Sequence, residues 1–342
     1  MARRRFKIGS AQRPITFQEA SKGWLKSKRK IAARTRSDYE ALLANLEPEM
    51  GHRLVFDISG DDIATLQRKR AQAGVGARRI NYEVSIVRQV LTREGEWERL
   101  RDEVAWFDEP KDVGQALDPD EERRLLDAAG RSGSPALLTL VVLSLDTGLR
   151  RSELRGLRHR DLRLEWRDGI IASGWLTVAR SKTAAGKGRA VPLTQRARGS
   201  LSLWLSRPEL GDAAAEHFVF PHHAVAASGE RPTLYDVTPT RPMGDWKTAW
   251  RRTRRVAGVA VRWHDLRHTF ITRLAENPNV SEQTIRSLAG HVSKAMLDRY
   301  SHVRNRAKEE AIRALEGDRP AQEPAHTLDE ADSTNPVSPR HH

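Results

Sequence analysis

The chain has 342 residues, enough for two domains and a tail. Its 59 lysines and arginines outweigh 45 acidic residues, a formal net charge of +14 that favours a polyanionic partner such as nucleic acid. The absence of cysteine excludes disulfides, thiolate catalysis and cysteine-ligated zinc and makes a cytoplasmic setting the default, and the longest apolar run, around Pro135 to Leu145, is far shorter than the roughly 20 residues of a membrane helix.

Residues 1–13 are basic and nearly without apolar anchors, the composition of a flexible arm. Arg3, Arg4, Arg5 and Lys7 are its candidate phosphate contacts, and residues 1–36 hold 12 Lys/Arg against Glu19 alone, a local charge of +11. Residues 14–108 carry helical periodicity. A first helix is predicted near Thr16 to Lys28. Arg34 to Leu46 sets Tyr39, Leu42, Leu43 and Leu46 on one face. Asp61 to Ala73 turns Ile63 and Leu66 inward behind the N-cap region Ser59-Gly60-Asp61, and Ala77 to Glu94 repeats Ile80, Val84, Val87 and Leu91. These four helices make one small domain. Arg78, Arg79 and Arg88 fall off the last apolar stripe; the bland reading is a solvated surface, but the excess of base makes Arg78 and Arg79 candidates for DNA contact.

Residues 109–117 are polar with Pro110 and Gly114 and read as a linker. A second domain, residues 118–316, opens on a helix that Asp118 caps, with Pro119 at its first position and Glu121 closing a capping box. Pro135 to Leu145, apolar nearly all round, is a core helix that delivers the chain to Thr147-Gly148-Leu149-Arg150. Gly174 to Arg180 and Arg189 to Leu193 are predicted strands joined by the turn Ala184-Ala185-Gly186-Lys187-Gly188, with Lys182 at the loop end of the hairpin. Residues 221–245, rich in Pro, Gly and His, are predicted to form a long loop. Trp246 to Val256 is a helix that clusters Arg251, Arg252, Arg254 and Arg255. Further helices are predicted at 265–276, 282–289 (capped by Ser281, ended by Gly290), 294–300 and 304–316. Residues 317–342 are polar, with a local charge of −3, and read as a disordered tail.

Breaking a phosphodiester by displacement requires an aligned nucleophile, stabilisation of charge on the phosphoryl oxygens, and a proton for the leaving alkoxide. Arg150 and Arg267 suit the second task, because a guanidinium fork binds two phosphate oxygens at once. His264 and His291 add hydrogen bonds or move protons. Lys182 is a candidate general acid if neighbouring arginines lower its pKa, and Tyr300 is the candidate nucleophile.

Thr147-Gly148-Leu149-Arg150-x-Ser152-Glu153-Leu154, Ser181-Lys182-Thr183 before Val191-Pro192-Leu193, His264-x-x-Arg267-His268, Leu288-Ala289-Gly290-His291 and Tyr300-Ser301-His302 occur in this order. Taken singly each is a weak signal; together over residues 118–316 they resemble the tyrosine recombinase (phage integrase) family. The resemblance implies a mainly α fold with a small β-sheet, in which a helical core-binding domain and an integrase-type catalytic domain form a C-shaped clamp on double-stranded DNA. It implies Arg150, Lys182, His264, Arg267, His291 and Tyr300 as the catalytic set, with Glu153 as a supporting acid. It further implies cleavage through a 3′-phosphotyrosine without metal, ATP or other cofactor, a homotetramer on paired sites, and a nucleoid-associated protein of a bacterium or phage that integrates or excises a mobile element.

Three rival readings stand beside it. Ser281 to Tyr300 also fits a helix-turn-helix of a catalytically silent regulator, which leaves Arg150, Lys182 and Arg267 unexplained. A type IB topoisomerase uses similar chemistry, but the boxes look like those of recombinases. His264 and His268 have the i, i+4 spacing of zinc helices, yet Asp265 replaces the required glutamate and no third ligand is evident.

Overall fold

The computed structural model describes residues 13–109, 114–179, 181, 186–226, 232–292, 297–298, 309 and 312–313. Arg3, Arg4, Arg5 and Lys7 of the arm, Lys182, Tyr300, nearly all of the helices expected at 294–300 and 304–316, and the tail at 317–342 lie outside the described residues. The chain divides into two compact units, residues 1–112 and 113–342.

The first unit holds α1 (Phe17–Ser27), α2 (Ala33–Met50), α3 (Gly60–Gln72) and α4 (Ala77–Glu94). Capping boxes start α1 and α3: Thr16 with Glu19, and Ser59 with Asp62, each satisfying two backbone N–H groups that the first turn leaves open. α2 runs four residues beyond the expected Leu46, carrying Pro48 inside its last turn. Phe17, Trp24, Leu42, Leu46, Ile63, Leu66, Val84, Val87 and Leu91 close into one core. Burying side chains of this size contributes about 1.5–3 kcal/mol each. The carboxylate of Glu83 is buried on α4, and Arg70 of α3 grips it through two hydrogen bonds of 2.8 Å. Arg79 reaches the same carboxylate at 3.3 Å. The two candidate DNA-contact arginines are therefore not equivalent: Arg78 is exposed, with Glu109 at 3.9 Å, whereas Arg79 is drawn onto a buried acid.

The second unit begins with α5 (Pro119–Gly130), where one Asp118 oxygen accepts the N–H groups of Asp120 and Glu121 at 2.8 Å and Glu121 returns a bond to the Asp118 N–H. α6 (Leu137–Thr147) is buried on nearly every side, packed among α5, α8 (Gln195–Leu205) and α10 (Trp263–Glu276), as its unbroken apolar sequence demands. Beyond the short α7 (Arg151–Arg155), strands β1 (Leu162–Arg167), β2 (Ile170–Thr177) and β3 (Ala190–Pro192) form an antiparallel sheet in that order, with Arg163 opposite Trp175 and Leu176 opposite Val191. β1 was not among the predicted elements, and β2 starts four residues earlier than the predicted strand.

The predicted loop at 221–245 is corrected by the structure: β4 (Pro221–Ala226) and β5 (Thr233–Pro242) pair antiparallel. Its prolines mislead because they sit where a strand tolerates them. Pro221 is the first residue of β4, and the register shifts on either side of His222 keep the ladder irregular there. α9 (Lys247–Ala257) and α11 (Glu282–Ala289) complete the described elements, the latter capped by the Ser281 hydroxyl. Among the described residues no helix is long and apolar enough to cross a membrane.

Candidate active site

Arg150 is the N-cap of α7, in extended conformation, and its own N–H donates to Glu153 three residues on, at 2.8 Å. This capping bond gives the acid at that spacing a local role: it fixes the backbone from which the arginine projects. The Arg150 side chain donates from Nη1 to Glu153 Oε1 at 2.9 Å and to the Ser181 hydroxyl at 3.2 Å. Its Nε and Nη2 make no hydrogen bond among the described residues. Arg150 and His264 line one cleft of about 420 Å³, together with Arg151, Ser152, Arg155 and Asp245.

α10 brings His264 and Arg267 to one side of a helix, one turn apart. His264 lies in the first turn rather than ahead of the helix; Arg262 is the N-cap, and its N–H and guanidinium occupy Asp265, which removes that acid from any role as a zinc ligand or base. Arg267 is buried, 3% exposed. It donates from Nη1 to the Gly148 carbonyl at 2.6 Å and from Nη2 to the carbonyls of Ala289 and, at 3.2 Å, His291. The expectation of a free phosphate fork is thus revised: the guanidinium is seated on three carbonyls, which among the described residues leaves Nε and one Nη1 hydrogen for a further acceptor. Burial and the charges of Arg150 and Arg189 push its pKa down to about 9, which keeps it cationic at neutral pH. His291 is exposed and follows Gly290, whose φ of 75° turns the chain out of α11.

Glu153 lies 1% exposed beneath these groups. Burial alone would raise its pKa; bonds from Arg189 and the Arg150 N–H, the Arg189 charge and the Ser181 hydroxyl outweigh it and hold the carboxyl at about 2. His264 is open to solvent on one side, yet burial on the other, then His268, Arg267 and Arg150, push its pKa down to about 4. The imidazole is therefore neutral at pH 7. Between pH 6.5 and 4 the unfolded chain binds a proton that the folded chain refuses, so stability is full above that window and lost as pH falls through it. Urea midpoints at pH 7 and pH 5 should drop more in the wild type than in His264→Gln. Equal drops would show that His264 is not the group responsible.

Gly148 has a left-handed backbone, φ 62°, and a Cβ there would lie 2.4 Å from Cδ1 of Phe270. Gly148→Ala therefore incurs about 1–2 kcal/mol of backbone strain and about 1–3 kcal/mol of overpacking. It also pushes away the carbonyl that seats Arg267. Urea unfolding should show a loss of about 3 kcal/mol; a loss under about 1 kcal/mol would mean that α10 yields freely at this point.

Of the expected set, the structure gathers Arg150, His264, Arg267, the backbone of His291 and the supporting Glu153; Lys182 and Tyr300 lie outside the described residues. Sequence reasoning missed Arg151 and Arg155 on the cleft wall and the buried Arg189 under it. No signal marks Arg189 in the sequence: a charge ahead of Ala190-Val191-Pro192-Leu193 reads as an ordinary strand-edge residue.

Tyrosine recombinase XerA of Pyrococcus furiosus is 29% identical over 258 residues, 74% of this chain and 79% of that one. Tyrosine recombinase XerC of Xanthomonas campestris pv. campestris is 30% identical over 197 residues, 57% of this chain, which spans about half (53%) of that relative. The Tn1549 transposon integrase, residues 82–397 in complex with circular intermediate DNA, superposes with a TM-score of 0.61 at 19% identity, over 87% of this chain and 99% of that one, which establishes a shared fold. The model of the phage integrase family matches residues 115–306, more than half the chain and every part of the cleft described above. The chain belongs to the phage integrase family, that of the tyrosine recombinases.

Proposed function

We propose that this protein is a site-specific DNA recombinase that cuts and rejoins duplex DNA through a 3′-phosphotyrosine on Tyr300. The observation that carries the reading is the seating of Arg150 and Arg267 around a buried, ionised Glu153, with a neutral His264 on the wall of the same cleft. Such a cluster holds a phosphate and concentrates positive charge where the transition state develops negative charge. In the proposed step the Tyr300 oxygen attacks phosphorus and the bond to the 5′-oxygen breaks. The phenolic proton passes to a base for which His291 is the candidate, while His264, with a pKa of about 4, is too weak a base to hold it and serves as a neutral hydrogen-bond partner; Lys182 gives a proton to the departing 5′-oxygen. A 5′-hydroxyl later attacks the phosphotyrosine and restores the diester. The new bond conserves the energy of the old one, so the reaction needs neither ATP nor metal. Exchange between two duplexes cuts four strands, which calls for four copies on paired sites, and integration or excision of a mobile element is the setting we favour.

A target duplex nicked beside the cleavage point, which lets the short fragment diffuse away, should trap an SDS-stable protein–DNA adduct with EDTA present and ATP absent. Tight binding with no adduct would favour the silent regulator. The role of Lys182 has its own test. A 5′-bridging phosphorothiolate has a leaving group that hardly needs an acid. Lys182→Ala should be slow on ordinary DNA and largely restored on the sulfur substrate; equal impairment on both would remove the general-acid assignment.

A further inference from the structure

Arg189 lies beneath the cleft, its side chain 3% exposed. Its Nη2 donates to Glu153 Oε2 at 2.6 Å and its Nη1 to Glu153 Oε1 at 3.2 Å, so the two groups meet fork to fork. Two further donors go to backbone: Nε to the Leu288 carbonyl at 3.0 Å and Nη1 to the Gly186 carbonyl at 2.8 Å. Four of the five N–H donors of Arg189 are thus held by protein, and the side chain is not part of the cleft lining. Glu153 meanwhile takes Arg150 on the same Oε1 that Arg189 touches.

The charge count makes sense of this arrangement. One carboxylate beside Arg150 alone would cancel the charge that Arg150 offers to a phosphate. With Arg189 present, three guanidiniums (Arg150, Arg189, Arg267) surround one carboxylate, a net of two positive charges. Glu153 keeps its geometric role, capping α7 and aiming Arg150, while its charge is answered from below. We propose that Arg189 is a positioning residue which neutralises Glu153, so that Arg150 is oriented by that acid without losing its charge to it, and remains available to the scissile phosphate. This rests on the proposed activity, and it concerns a residue that touches no substrate.

The test compares Arg189→Met, Glu153→Gln and the double variant, each checked for cooperative urea unfolding. Arg189→Met should slow adduct formation on the nicked duplex by about 10- to 100-fold, the range typical of residues that support a reacting group. The double variant restores the net of two positive charges and should run at least about tenfold faster than Arg189→Met. A double variant as slow as Arg189→Met, or slower, would show that Arg189 is only a structural bracket and overturn the proposal. If Arg189→Met does not fold, the double variant, which keeps the net of two positive charges, is read against the wild type and should stay within about tenfold of it; a larger loss with folding intact would overturn it equally. A readout that needs no cleavage separates this from the activity itself: affinity for inorganic phosphate, followed by ³¹P line broadening, should fall about tenfold in Arg189→Met and return in the double variant. That pattern without any wild-type adduct would sink the recombinase reading and leave the charge assignment standing. An adduct without that pattern would do the reverse.

Discussion

Arg267→Lys is expected to slow formation of the covalent protein–DNA complex by about 10²–10³-fold, the loss typical of removing one preorganised transition-state donor. The variant should still fold. Arginine bridges the Gly148 carbonyl on one side and the Ala289 and His291 carbonyls on the other, through separate nitrogens of one rigid plane. An ammonium places three donors on a single atom and cannot span both sides. One set of carbonyls loses its partner, at about 1–3 kcal/mol, and no in-plane pair remains for phosphate oxygens. Arg267→Ala would confuse the matter, because it removes the charge and opens a cavity beneath the cleft at once. Single-turnover adduct formation beside urea unfolding separates the two effects in the lysine variant. A rate within tenfold of wild type would mean that Arg267 serves the fold and that phosphate is held by other groups.

Much of the second unit was legible because local rules and tertiary need agree there. Asp118-Pro119-x-Glu121 specifies a helix start on capping grounds alone, and the start falls there. The spacing of Arg150 and Glu153 is the same device, an acid three residues into a helix bonding the cap N–H, here beneath an arginine of the proposed phosphate site. Other features depend on partners far away in the chain. Arg189 reads as an ordinary strand-edge charge until Glu153 and Leu288, 36 and 99 residues away, close around it. Arg79 looks like a free cation on a helix surface; that the neighbouring Glu83 is buried and shared with Arg70 is set by how α3 meets α4. The β4–β5 hairpin hid behind its prolines, whose tolerance depends on which backbone edge pairs. The pKa of His264 had no sequence signature either, since burial, His268 and the two arginines act together only in the folded chain.

The most direct test of the account is the identity of the nucleophile. Tyr300→Phe removes one oxygen and little volume, and phosphate binding in this scheme belongs to Arg150, Arg267 and the histidines. The variant should therefore bind its duplex with affinity near that of wild type. On the nicked duplex, with EDTA and without ATP, the wild type should give an SDS-stable adduct whose DNA maps by peptide analysis to Tyr300, and Tyr300→Phe should give none. An adduct that persists in Tyr300→Phe, or maps to another residue, would contradict the account.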